Sequence, residues 1–152
     1  MSDYKQILDR AARLCSTGEK CQYDIREKMI TWGLDEDAAD KAVLYLAQNK
    51  FVDDQRFSTY FIRDKLRFNK WGRVKIRYIL QQKKVAAEII EACISEIDPE
   101  LYNEILDQIL LTKIKSIGHP NTAQNKAKLI RFAAQRGFTS SEIFDAIKRI
   151  NN

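Results

Sequence analysis

Three imperfect copies of one segment make up most of the sequence, and any fold of the chain has to accommodate all three. With Gly33, Lys84 and Gly137 placed in register, the copies are offset by 51 and 53 residues, and similar residues coincide at seven positions. The matched sets are Ile25, Ile76 and Leu129; Met29, Leu80 and Ala133; Leu34, Val85 and Phe138; Ala39, Ile90 and Ile143; Ala42, Cys93 and Ala146; Val43, Ile94 and Ile147; and Leu46, Ile97 and Ile150. A tandem repeat of this kind predicts a short array of small units.

The apolar residues within each copy have helical spacing. They lie four residues apart before the central turn and follow an i, i+3, i+4, i+7 pattern after it, which places them on one face of each of two helices. A third helix is predicted before each pair, at about 4–16, 54–70 and 99–116. The sequence therefore predicts an all-α protein of nine helices in a short curved solenoid-like array. Its three tandem three-helix repeats are expected to span residues 1–50, 51–97 and 98–152.

Residues at the predicted helix starts have the chemistry of N-caps. Asp35 and Thr139 precede the closing helices of the first and third copies, and Glu142 completes a capping box with Thr139. In the stretch FVDDQRF, Asp53 is predicted to be an N-cap and Asp54 the first helical residue, near the positive end of the helix dipole. We interpret this aspartate pair as structural, because no other acid, base or metal ligand stands near it in a recognisable pattern.

Composition narrows the classes of function. The three cysteines (Cys15, Cys21 and Cys93) include no CxxC pair and His119 is the only histidine, so a closed zinc site, which takes four such ligands, would need every one of these residues. The sequence has neither a phosphate-binding GxxxxGK[ST] motif nor a nucleophile paired with a base, so we expect no enzyme activity, no metal and no cofactor. It has no apolar run of ~20 residues, and its start, MSDYKQILDR, lacks the core of a secretory signal, so we expect a cytoplasmic protein without membrane contact.

Charge is sorted along the chain. The segment 63–84 contains nine cations and one anion, Asp64, which gives it a charge of +8 in a protein whose net charge is +5. A second stretch, 113–136, contains six cations and no acid, whereas the closing helices of the first two copies are acidic. A helix that is merely solvated usually mixes both signs. The sequence therefore predicts one basic and one acidic face, and a polyanion as ligand of the basic face.

The basic residues also have helical spacing. Arg63, Arg67 and Lys70 lie at i, i+4 and i+7, so they form a stripe on one side of a helix. Arg73, Arg77 and Lys84 form a second stripe at i, i+4 and i+11. The residues predicted to bind nucleic acid or a nucleoprotein filament are Arg63, Arg67, Lys70, Arg73, Lys75, Arg77, Lys84, Lys113 and Lys115. A solvated face without a ligand is the alternative.

Aromatic residues are interleaved with these cations. Aromatic rings can stack on unpaired bases, but at these spacings most of them are expected in the core instead. The residues concerned are Phe57, Phe61, Phe68, Trp71 and Tyr78.

The stretches FVDDQRF and KWGRVKIRYIL resemble the RecX family of RecA regulators. The middle repeat of that family has a hydrophobic pair, Asp-Asp, one residue and Arg-Phe-Ala, then a glycine-containing junction and a basic helix. CQYDIREKMITWG resembles the family's Ser-x-x-Glu-Leu-x-x-Lys-Leu-x-x-x-Gly pattern. The resemblance spans nearly the whole chain and is strongest over 49–80. Lys50 and Lys84 stand where glycine is usual, Ser58 where alanine is and Cys21 where serine is, which bears on local turn geometry.

The resemblance implies a non-enzymatic, monomeric regulator that binds in the groove of the RecA filament on single-stranded DNA. It would lower RecA ATPase, filament extension and strand exchange, and so modulate recombination, DNA repair and the SOS response. Double-stranded DNA is a further implied ligand. A general helical DNA- or RNA-binding module without a RecA partner stays open as the alternative. A helix-turn-helix transcription factor is disfavoured, because phosphates would repel the acidic residues Asp35, Glu36, Asp37 and Asp40 of the would-be recognition helix.

Overall fold

The computed structural model describes residues 2–151, which form nine α-helices, one π-helical turn and no β-strand. The helices are α1 (Ser2–Cys15), α2 (Gln22–Thr31), α3 (Glu36–Gln48), α4 (Asp54–Asp64), α5 (Arg73–Gln82), α6 (Ala87–Ser95), α7 (Pro99–Ile117), α8 (Ala123–Gln135) and α9 (Ser140–Asn151), and the π-helical turn Lys65–Asn69 follows α4. The prediction of an all-α protein is confirmed. None of these helices is both long enough and apolar enough to cross a bilayer.

Two compact units share the chain. The first unit comprises the residues up to Phe61 together with Leu80–Glu91, and the second comprises Ile62–Ile79 together with the residues from Ala92 onward. The helices α4, α5 and α6, which form the middle copy of the sequence repeat, each contribute residues to both units. The division into three repeats describes the amino-acid pattern and stays a prediction.

The matched positions of the repeat form the core of each unit. All of these side chains are buried except Ile150, which is half-buried near the end of α9. In the first unit the core cluster joins α1, α2 and α3 and includes Ala11, Ile25, Met29 and Leu46. Burying each large aliphatic side chain stabilises the folded state by about 1.5–3 kcal/mol. The pattern read from the sequence therefore identifies the residues that hold the helices together.

The predicted caps form. Asp35 Oδ1 accepts a hydrogen bond from the backbone N–H of Ala38 at 2.8 Å. Thr139 and Glu142 make both hydrogen bonds of a capping box, at 2.9 and 3.2 Å. Asp98 caps α7 in front of Pro99. Each such cap stabilises its helix by about 1 kcal/mol.

The adjacent aspartates Asp53 and Asp54 do different things. Asp53 Oδ1 accepts a hydrogen bond from the backbone N–H of Arg56 at 3.0 Å, as an N-cap does. Asp54 begins α4, but its Oδ1 accepts a hydrogen bond at 2.8 Å from the backbone N–H of Gln22, the first residue of α2. Burial raises the pKa of Asp54, and this hydrogen bond opposes the rise. Asp54 therefore joins two helix starts within the first unit, which spacing along the sequence did not indicate.

In the second unit, α5 begins against the turn between α8 and α9. The backbone N–H of Gly72 donates to the carbonyl oxygen of Arg136 at 2.7 Å, and that of Val74 donates to Gly137 at 3.0 Å. The N–H of Arg73 donates to Tyr102 Oη at 2.9 Å. These three backbone N–H groups lie at or beside the start of α5. Other segments of the unit accept their hydrogen bonds, in place of an N-cap side chain.

We predict that Gly72→Ala strongly destabilises the protein. An added Cβ would lie 2.4 Å from the carbonyl oxygen of Gly137, which is backbone and cannot move aside cheaply. Overpacking of this kind costs about 1–3 kcal/mol or more, measurable by urea unfolding followed by circular dichroism. Gly18→Ala is the matched control, because its nearest neighbour would be the flexible Lys20 Nζ at 3.5 Å. Equal stability of the two variants would contradict the prediction.

We predict that Lys50→Gly stabilises the protein. Lys50 and Lys84 have φ values of 63° and 61°, so the left-handed turn persists although lysine occupies both positions. A left-handed backbone destabilises the folded state by about 1–2 kcal/mol at a residue that has a Cβ. Glycine avoids this cost, but its greater freedom in the unfolded chain offsets about 0.5–1 kcal/mol of the gain. Thermal unfolding should show a net gain of about 0.5–1 kcal/mol. Lys50→Ala keeps the Cβ and should show no gain; a gain as large as that of the glycine variant would rule out this explanation.

Candidate nucleic-acid interface

A groove of about 500 Å³ lies on the surface of the second unit. Three segments build it: the π-helical turn with the residue after it, the last turns of α7, and the end of α8. The residues that line it include three apolar ones and three cations: Phe68, Leu111, Phe132, Lys70, Lys115 and Arg136. Among the described residues that line the groove, none is acidic. Its combination of apolar rings and cations suits a ligand that is planar and negatively charged.

The π-helical turn determines where Phe68 points. The backbone N–H groups of Lys70 and Trp71 both donate to the carbonyl oxygen of Lys65, so this turn contains more residues than an α-helical turn. One extra residue rotates the following side chains by roughly 100° about the helix axis. Leu66, four residues after the buried Ile62, is 3% exposed, whereas Phe68, later in the π-helical turn, is 80% exposed.

The expectation that most of the five aromatic residues near the cations lie in the core is wrong, because Phe57 alone among them is buried. A single α-helix over 54–70 would have placed Phe68 on the same side as Phe57, which is buried as expected. Tyr78 was also grouped with the core aromatics, yet it is 57% exposed. It lies two residues from both Ile76 and Leu80, which are fully buried, so it faces the opposite side of α5. Phe61 and Trp71 are half-buried.

The cations in and beside the groove contact the ring of Phe132 or backbone carbonyl oxygens. Lys113 Nζ lies 4.8 Å and Arg136 Cζ 5.0 Å from the centre of the Phe132 ring. Arg136 Nη1 also donates to the carbonyl oxygen of Asn69 at 3.2 Å. Lys70 Nζ donates to the carbonyl oxygen of Arg67 at 3.0 Å. These contacts are to neutral groups, so the positive charges are not neutralised by them.

Two of the nine cations predicted from the sequence line this groove, Lys70 and Lys115, and a third, Lys113, lies over the ring of Phe132, which lines it. Arg136 completes the set, although it was counted only as part of the second basic stretch. Its four-residue spacing from Phe132 on one face of α8 is the sequence signal that pairs them. Phe132 itself was not considered as a ligand-binding residue.

Arg73 lies elsewhere and is engaged within the fold. Its Nη1 is 2.9 Å from Glu142 Oε2, and its Cζ lies 3.8 Å from the centre of the Tyr102 ring. The Tyr102 hydroxyl donates to Glu142 at 3.3 Å, and burial raises its pKa to about 12, so it keeps its proton at neutral pH. This cluster gives Arg73 a clear structural function. A role in binding phosphates stays an untested prediction.

The other predicted cations are spread over both units. Lys75 Nζ lies 4.5 Å from the Trp71 ring centre, Arg63 and Arg67 are exposed, and Arg77 is half-buried. Lys84 belongs to the first unit, where it lines a second cavity, of about 520 Å³, with Arg26, Asp40 and Asp54. That cavity has mixed charge and does not resemble an anion site.

The thiols show no sign of reactivity. Burial raises the pKa of Cys21 to about 12, and it also raises the pKa of Cys15. Cys21 Sγ instead accepts a hydrogen bond at 3.4 Å from the backbone N–H of Asp24, so it caps α2 where serine is usual in the family it resembles. Cys93 is buried. Within residues 2–151, no group of three or more His, Cys, Asp or Glu side chains is arranged to hold a metal ion.

Comparison with known proteins shows where these sequence features recur. Family models described as "RecX, second three-helix domain" and "RecX, third three-helix domain" match residues 53–94 and 100–147. A "Regulatory protein RecX" of Chlorobium phaeobacteroides (strain BS1) is 30% identical over 151 residues, covering 98% of this chain and 96% of its own. One from Clostridium botulinum (strain Eklund 17B / Type B) is 35% identical over 136 residues, or 88% of this chain. That match spans 63% of the Clostridium protein, less than two thirds of its length.

Solved structures share the fold. The crystal structure of RecX from Lactobacillus salivarius superposes with a TM-score of 0.86 and 15% identity, covering 99% of this chain and 97% of that one. A second crystal structure of regulatory protein RecX gives a TM-score of 0.86 and 19% identity, covering 97% of this chain and 72% of that one. At such low identities the likeness concerns the arrangement of helices alone.

We predict that Arg73→Ala and Lys115→Ala have opposite consequences. Removing Arg73 breaks a charge-assisted hydrogen bond and should cost about 1.5–3 kcal/mol of stability, without changing the salt dependence of DNA binding. Removing Lys115 should change stability by less than about 0.5 kcal/mol. It should flatten the plot of log K against log salt by about 0.7, one single-strand phosphate contact. A flattened slope with normal stability for Arg73→Ala would assign Arg73 to DNA instead.

Proposed function

Since the chain belongs to the RecX family, we propose that it is a non-enzymatic regulator of the RecA recombinase. It binds RecA filaments on single-stranded DNA and inhibits their ATPase activity, extension and strand exchange, and thereby modulates recombination and repair. The observation that carries the proposal is the family match across 53–94 and 100–147. The regulatory name belongs to the relatives, and RecA as the partner of this chain is our inference from the family.

The chemistry of the second unit supports contact with DNA in such a filament. Phosphates are bound by cations that release counterions on contact, and the groove offers Lys70, Lys115 and Arg136 without an acidic neighbour in its lining. We propose these residues, together with Lys113, as the principal phosphate contacts. The remaining predicted cations, Arg63, Arg67, Lys75, Arg77 and Lys84, are proposed to add to the long-range attraction toward the filament.

The first unit supports contact with protein in preference to DNA. Glu36, Asp37 and Asp40 lie exposed in the first turns of α3, where phosphates would be repelled. Two exposed apolar residues of the same helix, Leu44 and Tyr45, are 59% and 47% exposed. A face that combines acids with exposed apolar side chains suits a protein partner with basic residues. We propose that it faces the RecA subunits, and that the protein acts as a cytoplasmic monomer.

The test is a titration of RecA's DNA-dependent ATPase activity. We expect hydrolysis to fall at less than one molecule of this protein per RecA, because a molecule that blocks the filament affects many subunits. Lys70→Glu/Lys115→Glu should weaken the inhibition, since two phosphate contacts become repulsive. Lys128→Glu/Lys148→Glu is the matched control, a double charge reversal at exposed positions of α8 and α9 in the same unit.

The outcomes separate the proposal from its alternative. No effect on RecA, together with salt-dependent binding to free DNA or RNA, would show a general nucleic-acid-binding module. Equal inhibition by the wild type, the groove variant and the control variant would show that the groove does not contact the filament, while leaving RecA regulation in place.

A further inference from the structure

We propose that the groove of the second unit binds an unstacked base of a single-stranded nucleic acid, with the base packed against Phe68. The proposal deepens the proposed function, because it gives the phosphate-binding groove a preference for single strands over duplexes. It concerns the ring of Phe68, whereas the phosphate contacts concern the surrounding cations.

The exposure of Phe68 is the first reason for this proposal. At 80% it is the most exposed of the large hydrophobic side chains in the described part of the chain. Covering an exposed phenylalanine ring removes apolar surface from water, so a ring held in water favours any ligand that covers it. The next most exposed members of this set, Leu44 and Tyr78, are 59% and 57% exposed.

The rigidity of the backbone beneath Phe68 is the second reason. On one side, the turn is closed by the hydrogen bonds from Lys70 and Trp71 to Lys65. On the other, the carbonyl oxygen of Asn69 accepts a hydrogen bond from Arg136. Lys70 has the left-handed φ of 58°, a strained conformation for lysine that surrounding contacts must maintain. Phe68 is therefore held in place before any ligand arrives, which lowers the entropy lost on binding.

The chemistry around the ring is the third reason. The lining of the groove combines the apolar side chains of Ile109, Leu111 and Phe132 with the cations Lys70, Lys115 and Arg136. Lys113 and Arg136 already lie near the ring of Phe132, so Phe68 is the ring that a ligand can cover more fully. Gln108 and Thr112 add an amide and a hydroxyl that can hydrogen-bond the edge of a base.

A nucleotide satisfies all of these groups at once. An apolar side chain from a protein would cover Phe68 but would leave the cations of the groove without counter-charges. A duplex would neutralise the cations, but its bases are stacked on one another and offer no face to the ring. A single strand supplies both the phosphates and an open base, and stacking on an aromatic ring tolerates any base sequence.

The test compares two oligonucleotides of equal length and charge, an oligothymidylate and an abasic strand, by fluorescence anisotropy without RecA. The protein should bind the thymidylate about 5-fold to 150-fold more tightly, the range expected for stacking one base. Phe68→Ala should remove this preference and leave the abasic affinity unchanged, and Phe68→Trp should keep the preference. Phe144→Ala, which truncates a 41% exposed phenylalanine of α9, is the matched control. A fluorescent adenine analogue placed in the strand should brighten when the wild type binds, because the base leaves its stacked neighbours and a phenyl ring does not quench it, and should not brighten with Phe68→Ala.

Two results would overturn the base site. One is equal affinity of the wild type for the abasic and thymidylate strands. The other is loss of RecA inhibition in Phe68→Ala with an unchanged thymidylate preference, which would show that Phe68 contacts a protein side chain. Because the oligonucleotide assay contains no RecA, a failure of the RecA proposal does not affect it. Lys115→Glu should weaken both strands equally, which separates phosphate binding from stacking.

Discussion

The arrangement of the second unit depends on the backbone contact between Gly72 and Gly137. At this point two chain segments approach so closely that a Cβ on Gly72 would lie 2.4 Å from the Gly137 carbonyl oxygen. The closeness lets the carbonyl oxygens of Arg136 and Gly137 accept the hydrogen bonds of Gly72 and Val74, so the start of α5 is satisfied by the turn that precedes α9. The cluster of Arg73, Tyr102 and Glu142 adds side-chain contacts at the same place.

The candidate site follows from this contact. The π-helical turn ends three residues before Gly72, so fixing α5 also fixes Lys70 and the direction of Phe68. Arg136, immediately before Gly137, contributes its carbonyl oxygen to Gly72 and its guanidinium group to Asn69 and Phe132. One residue therefore supports the junction and supplies charge to the groove. A change at the junction is expected to disturb both the stability of the unit and the groove, whereas a change at Phe68 should disturb only the groove.

Much of the fold could be predicted from the sequence, because it depends on local and periodic signals. The matched apolar positions other than Ile150 are buried, and the caps at Asp35, Asp53 and Thr139 form as short-range chemistry requires. What the sequence did not reveal depends on tertiary contacts. The hydrogen bond of Asp54 to Gln22 joins residues 32 apart, and the ion pair of Arg73 with Glu142 joins residues 69 apart. The π-helical turn has no local signature, and it moved Phe68 from the expected core to the surface.

Tertiary contacts also explain why the number of cations in a segment overestimates how many of them can bind a polyanion. Composition showed that the segment 63–84 is strongly basic, but two of its cations pair with carboxylates within the fold. Lys83 pairs with Asp24 at 2.7 Å, and Arg73 pairs with Glu142 at 2.9 Å. Each such contact holds a positive charge against a neighbouring element, so its exchange for a phosphate would cost the fold a stabilising interaction. Cations held by neutral partners, such as Lys70 at a carbonyl oxygen, can bind a phosphate without that loss. The partners that folding gives to the cations, more than their number, therefore select the surface at which a polyanion can bind.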